Sequence, residues 1–345
     1  MMKLQMVVAV LFASIVVVLS GCSTGTVDPG PVPITDQQAL QSAVTSIDSV
    51  ADFSASDEMT IDDNGMRSSE YDGLAKIDAN DLASVSAVFA DSVYPVKWGR
   101  HIFWHQVTRK YDIVISPGDS SALVTITKIL PGEFWVGIGF KTADTVVVDT
   151  IIKKPFTQIV KRKVRFIRIA RTGNPFRNWV PVAISMVLGE TRPDSLNHFS
   201  IASLEVERIG HSDTTFTDPL QTWFRLGLFR GSIPRFAVGD SIRVRVTVTS
   251  SDDSAEISHL RFGIAGDGGE RRRTVMRLVS TSGGGGSFTR VYERIFVARL
   301  PRFLPIGVLA ARFNAVVDVL SYGSIYVNDA PFMNEFWGVP YIVVR

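Results

Sequence analysis

The feature that most constrains this chain is a two-residue alternation of apolar and polar side chains. It sets in near residue 98 and recurs almost to the C-terminus. Ile242, Val244, Val246 and Val248 fall on one side of an extended chain, and Arg243, Arg245, Thr247 and Thr249 on the other. Leu123, Thr125 and Thr127 alternate in the same way with Val124, Ile126 and Lys128, as do Phe134, Val136 and Ile138 with Trp135, Gly137 and Gly139. Period two is the signature of strands buried on one face, and a helix would scatter these residues around its axis. Hydrophobic residues make up 46% of the 345 and aromatics 10%, enough to fill a β core.

Further strand-like runs cover 161–169, 180–188 and 199–206. Pro117-Gly118-Asp119, Pro131-Gly132 and Thr172-Gly173-Asn174-Pro175 read as the turns between strands. Successive strands without intervening helices predict an antiparallel β-rich domain over 95–210. Before it, Thr35 and Gln38 form a capping-box pattern, and Leu40, Ala43, Val44 and Ile47 repeat at helical spacing. Asp78 to Phe89 predicts a second short helix, and Asp52 to Tyr71 an acidic loop. A helix followed by a long-stranded meander is similar in pattern to the cone-shaped α+β NTF2-like group, which is the alternative for this first domain.

From 215 to 345, strand signals recur near 242–249, 257–264, 274–280, 287–298, 308–320 and 339–344, a spacing that fits a sandwich. Val238-Gly239-Asp240-Ser241-Ile242-Arg243-Val244 and Leu304-Pro305-Ile306-Gly307-Val308 resemble strand-entry turns of bacterial Ig-like modules. The resemblance implies a disulfide-free Ig-like sandwich. The expected fold is therefore mainly β, with a short helical segment ahead of two antiparallel domains.

The N-terminus carries a different signal. Lys3 precedes Met6–Leu19, 14 residues that are apolar except for Ser14. That is short for a membrane span and suited to the core of a signal peptide. It ends in Leu19-Ser20-Gly21-Cys22, which resembles the lipobox of bacterial lipoproteins. The resemblance implies cleavage after residue 21, acylation of Cys22, and anchorage in the cell envelope, with Ser23 directing it to the outer membrane. Residues 22–34 read as a Gly/Pro-interrupted tether and 35–94 as an acidic helix/loop segment. Cys22 is the only cysteine, so an internal disulfide or a cysteine-based zinc site is excluded.

Charge is unevenly spread. Residues 23–94 hold 13 acidic side chains against Arg67 and Lys76, and the rest of the chain is basic, so the sum is only +2. That balance argues against nucleic acid as a partner. The densest basic run is Lys161 to Arg171, with six cations and no acid. On a strand Lys161, Lys163 and Arg165 share a face, a candidate anion-binding strip, or else the charged face of an edge strand. The Lys161 end is expected to project past the core and the Ile167 end to pack into it.

Motifs for catalysis are weak. Gly-Asp-Ser at 118–120 and 239–241 resembles the nucleophile block of GDSL-type esterases. Each triplet leads into a strand, however, and no Asp-x-x-His follows, so both read as turns. His101 and His105 could pair on one metal, but no third ligand stands nearby. Asp62-Asp63-Asn64-Gly65 fails the calcium-loop pattern at both ends. Gly283–Gly286 reads as a hairpin loop and Gly263–Gly269 lacks a phosphate-binding lysine. The six tryptophans, at 98, 104, 135, 179, 223 and 337, could include a sugar platform. No catalytic residue, metal site or cofactor is expected. The reading is a lipid-anchored envelope protein that binds or scaffolds an envelope protein or anionic glycan; the alternative is an envelope hydrolase with a dispersed site.

Overall fold

The structure, a computed structural model, describes residues 35–47, 94–141, 146–193, 198–227, 231–263, 272–300 and 309–345. The leader with Cys22, the 62–65 turn, the 78–89 helix and the stretches 264–269 and 304–308 lie outside them. The described body is mainly β with antiparallel pairing throughout, apart from one short parallel contact.

Twelve strands form one sheet. Its main path runs β1 (Tyr94–Ile102), β3 (Ser121–Lys141), β4 (Val146–Arg168), β6 (Val187–Arg192), β17 (Asn334–Val344), β16 (Ala310–Leu320), β12 (Ile257–Phe262) and β13 (Arg272–Val275). Beside that path β2 (Thr108–Ile115) pairs with β3, β5 (Trp179–Ser185) with β4 and with β9 (Trp223–Arg225), and β10 (Arg235–Ala237) with β17. The second sheet has the order β14 (Arg277–Gly283), β15 (Phe288–Val297), β11 (Ser241–Ser250), β7 (Phe199–Arg208) and β8 (Asp213–Phe216). Helix α1 (Asp36–Ser46) and the one-turn α2 (Tyr322–Tyr326) are the α-helices described.

The period-two reading sets the faces. Ile242, Val244, Val246 and Val248 of β11 are buried, with Ile201 and Leu204 of β7 and Tyr292 and Phe296 of β15. They share one core with Phe313, Val317 and Val319 of β16 and Trp337, Val339 and Tyr341 of β17. Each buried aliphatic side chain contributes roughly 1.5–3 kcal/mol. The outer face of the smaller sheet carries a ladder instead: Arg243 meets Glu207 at 2.7 Å, and Arg245 meets Glu293 at 2.8 Å and Glu205 at 3.2 Å. Such half-exposed pairs add only about 0.2–1 kcal/mol apiece. The core therefore supplies the stability, and the ladder supports the register.

A second core lies where the opposite faces of β16 and β17 meet the inner face of β3 and β4 further along those strands. Even-numbered residues of β3 and β4 (Leu130, Phe134, Val136, Phe156, Val160) pack with Val316, Leu320 and Phe336. Phe332, carried by the α2 segment, stacks at 4.4 Å on Phe134 and 4.8 Å on Phe156. Lys154 fixes that segment by donating to the carbonyls of Gly323 at 3.0 Å and Val327 at 2.5 Å. The sheet also rolls. Arg273 of the last strand donates to the carbonyl of Trp98 in the first at 3.0 Å, and the Trp98 and His259 rings meet edge-on at 6.4 Å.

Two expectations change. Pro131-Gly132 is not a turn but the middle of β3, 21 residues long. There β3 changes partner from β2, paired with 122–129, to β1, paired with 132–139. The proline, lacking an N–H, sits at that seam, where its carbonyl accepts from Phe103 N at 2.9 Å. A Cβ at Gly132 would lie 2.5 Å from the His101 carbonyl oxygen, so the close crossing requires glycine. The second change concerns the segment between residues 210 and 215. It does not separate two sheets, because it joins β7 to β8, which pair with each other. β7 also pairs with β11, β6 with β17, and β5 with β9, so both halves of the sequence contribute to each sheet.

Residues 215–345 expressed alone would lack β7 beside β11 and β6 beside β17. That fragment is expected to show no cooperative thermal transition by circular dichroism, while the chain from residue 23 melts in one.

Candidate functional site

Inside the rolled sheet lies a polar network that its strands assemble from distant parts of the chain. Asp318 of β16 is fully buried. Its Oδ2 accepts from Arg100 Nη2 on β1, and from Arg261 Nε and Nη2 on β12 at 3.3 and 3.2 Å. Its Oδ1 accepts from Asn334 Nδ2 on β17 at 2.9 Å. Asn334 Oδ1 in turn accepts from Gln158 Nε2 on β4 at 2.6 Å and from Thr191 Oγ1 on β6 at 2.7 Å, and Asn334 N donates to Thr191 Oγ1 at 2.8 Å. Six strands thus meet at one carboxylate and one carboxamide. Both Asp318 oxygens are engaged, and Asp318, Asn334 and Gln158 have no exposed surface. The arrangement holds strands together and offers no face to a substrate.

A second buried pair fastens the loop between β11 and β12. Arg290 reaches Glu256 at 2.8 Å and donates to the carbonyls of Asp252 and Asp253, and Tyr292 donates to Glu256 at 3.0 Å. Between the sheets, Leu204, Phe236, Ile242, Val317 and Tyr341 line an apolar gap of about 10 Å³, the size of one water.

Glu335 ties the two sheets. It is buried, accepting from Trp337 Nε1 at 2.9 Å and from Ile201 N of β7 at 3.2 Å. Burial pushes its pKa up to about 7; the two N–H donors oppose that shift, and the charge of Glu190 adds to it.

The sequence-predicted strip sits on the outer face of β4. Lys161 Nζ stands 3.7 Å from Glu190, and the Arg165 guanidinium lies over the Trp223 ring at 3.8 Å. The backbone N–H of Lys163 donates to Ser185 Oγ at 2.8 Å. Across β3 the register sets Lys110 in line with Thr127 and Lys161, and Asp112 with Thr125 and Lys163. β4 is no edge strand, since it pairs with β3 on one side and with β5 and β6 on the other. The packed end is also the reverse of that expected. Arg162, Val164 and Phe166 are buried on the inner face, whereas Ile167 and Ile169 are 43% and 60% exposed. A central strand must turn its odd residues outward along its whole length, so parity rather than distance from the end decides burial.

The other candidates do not converge. His101 stacks on Trp135 at 5.2 Å, while His105 lies in the following turn beside Gln106 at 3.1 Å. No group of three His, Cys, Asp or Glu side chains placed to hold a metal occurs among the described residues. Both Gly-Asp-Ser triplets are turns, with Asp119 at φ 55° in the first and the Asp240 carboxylate accepting from Ala237 N at 2.7 Å in the second. Gly283–Gly286 closes the β14–β15 hairpin. Trp98, Trp179 and Trp337 are buried; Trp135 and Trp223 lie under Lys153 and Arg165; Trp104 is exposed. The sequence reading missed the Asp318 network. Its signal was a charge at an inward register position of an apolar strand: Asp318 between Val317 and Val319, and Arg100 two residues from Trp98 and from Ile102.

No protein-family model, curated protein or solved structure matches this chain.

Asp318→Ala takes away the carboxylate shared by two buried guanidiniums and should cost about 3–5 kcal/mol, read as a shift in denaturant midpoint. Glu335 gives a pH signature. Its folded pKa lies above the ordinary 4.5, so between these values the folded state holds a proton that the unfolded chain has lost. Its contribution to stability is full below pH 4.5 and is lost as pH rises through about 7. Glu335→Gln should flatten that decline by on the order of 1–3 kcal/mol, measured by unfolding at several pH values.

Proposed function

We propose that this chain is an envelope lipoprotein, acylated at Cys22 and held at the outer membrane, whose β body binds or scaffolds an anionic envelope partner. The leader carries the reading: an apolar run of 14 residues ending in Leu19-Ser20-Gly21-Cys22, with the only cysteine of the chain at its end. Several acyl chains on one residue exceed the two-signal requirement for stable anchoring. No helix among the described residues is long and apolar enough to cross a membrane. The outer face of β4 supports an anionic partner, an acidic envelope protein or glycan. Lys110, Lys161, Lys163 and Arg165 share that face, with Glu190 and Asp112 as the acids beside them. The charged groups inside the rolled sheet are committed to joining strands, which favours the outside of the body as the recognition surface.

Cys22→Ala should release the protein from the membrane fraction and remove the acyl mass; an unchanged mass with unchanged fractionation overturns the anchoring. Lys161→Glu with Lys163→Glu should weaken capture by an anionic polysaccharide several-fold at low salt and leave the melting temperature nearly unchanged, because both side chains are half-buried on the outer face, outside the core, and substitutions outside the core usually cost within about 0.5 kcal/mol. The difference between variant and wild type should shrink as salt rises.

A further inference from the structure

The end of β4 and the turn into β5, where α1 begins on the inner face, carry exposed apolar side chains on the outer face of the sheet. Asp36, the first residue of the helix, bonds Arg168 Nη2 at 2.5 Å and Trp179 Nε1 at 2.9 Å. The Arg168 guanidinium also lies over the Trp179 ring at 4.5 Å. Burial works against the charge on Asp36, yet the bonds from Trp179 and Arg168 outweigh it and hold the pKa below its ordinary value. The chain leading back to Cys22 therefore departs from a firmly held point.

Arg168 is flanked by Ile167 and Ile169, and Trp179 is followed by Val180. Ile167 and Val180 are register partners on one face. Ile169 is 60% exposed, Phe176 47%, Ile167 43% and Val180 38%. Phe176 sits in the turn between β4 and β5, whose residues pack against α1. Arginines 165, 171 and 177, next to these residues along the chain, are exposed; Arg165 lies over the Trp223 ring, and Arg171 donates to the carbonyl of Gly118 at 3.0 Å. The acids nearby are Asp36, engaged by Arg168, and Asp119, whose carbonyl accepts from Arg168. Clustered exposed aliphatic and aromatic groups rimmed by cations suit the boundary between headgroups and acyl chains of an anionic bilayer.

We propose that this end of the body, with Ile167, Ile169, Phe176 and Val180 framed by Arg165, Arg171 and Arg177, rests on the anionic lipid surface in which the chain is anchored. The inference deepens the anchoring reading and rests on it. Chain length allows it: 14 residues from Cys22 to Asp36 span about 50 Å at most. That span leaves the end of the sheet that carries the patch within reach of the bilayer. Basic residues near such a surface add to one another, so the three arginines act together.

The test uses the acylated full chain in vesicles containing phosphatidylglycerol, with Ile169→Cys carrying an environment-sensitive fluorophore. Acylated Cys22 leaves position 169 as the single free thiol. Spin-labelled lipid should quench this probe several-fold more than the same probe at Ser282→Cys in the other sheet. Arg171→Glu with Arg177→Glu should abolish most of the difference while preserving the melting temperature. Mass spectrometry accompanies each sample. A chain without acyl mass overturns the anchoring and this inference together. An acylated chain whose probe at 169 is quenched no more than that at 282 overturns this inference alone. So does a probe that responds to a soluble anionic polysaccharide and not to vesicles.

Discussion

A single buried carboxylate constrains this fold more than any other group. Asp318 receives two guanidiniums from strands that are far apart in sequence, Arg100 and Arg261, and passes the connection through Asn334 to Gln158 and Thr191. The sheet could roll in other ways around the same Val, Ile and Phe residues, since apolar contacts are non-directional. Hydrogen bonds to Asp318 are directional, and leaving any of these groups without partners in a dry interior would cost several kcal/mol. The network therefore acts less as a source of net stability than as a selector of one closure. Desolvating the charges offsets much of their attraction, and what remains is the penalty on every alternative register.

That closure explains the length of β3 and β4. A strand of 21 or 23 residues cannot stay flat, because each step adds right-handed twist. Here the two strands change partners along their length. β3 passes from β2 to β1 at Pro131-Gly132, and β4 passes from β6 to β5 beyond Lys161. One half of each strand faces the core under Phe332, and the other faces the core shared with α1 and the smaller sheet. The register shift between Arg165 and Phe166 lies in the second of these regions, where a bulge bends the strand and sharpens its twist.

The alternation of residues made the class of fold legible, and it made most strand faces legible too: the inward set of β11 and the inward Val124, Ile126 and Phe134 of β3 are buried as their spacing requires. The helix at Leu40 and Val44 was readable for the same reason. Partnership between strands was not readable. Nothing in the local pattern of 199–208 says that it lies beside 241–250 rather than within an earlier meander, because pairing depends on contacts between distant residues. Prolines and glycines misled at 131–132, where the sequence cue for a turn coincides with the cue for a seam between partners. The basic strip was visible as a run of charge. Its division into buried Arg162 and outward Lys161, Lys163 and Arg165 followed from parity, but its position in the middle of a sheet did not.

The same parity separates two uses of charge. Guanidiniums at inward positions are enclosed by fixed acceptors, and their interactions are little affected by salt because no water or ion reaches them. Cations at outward positions of β4 keep contact with solvent even where Glu190 or Trp223 stands beside them. Only the outward set can trade its hydration for an external anion, and its attraction weakens with ionic strength. A chain with nearly balanced net charge can therefore present a basic face without a basic composition. The acids of the ladder on β7 and β15 pair with Arg243 and Arg245 of the smaller sheet, and the outer face of β4, from Lys161 to the exposed isoleucines beyond Arg165, retains positive charge where the body meets its surroundings.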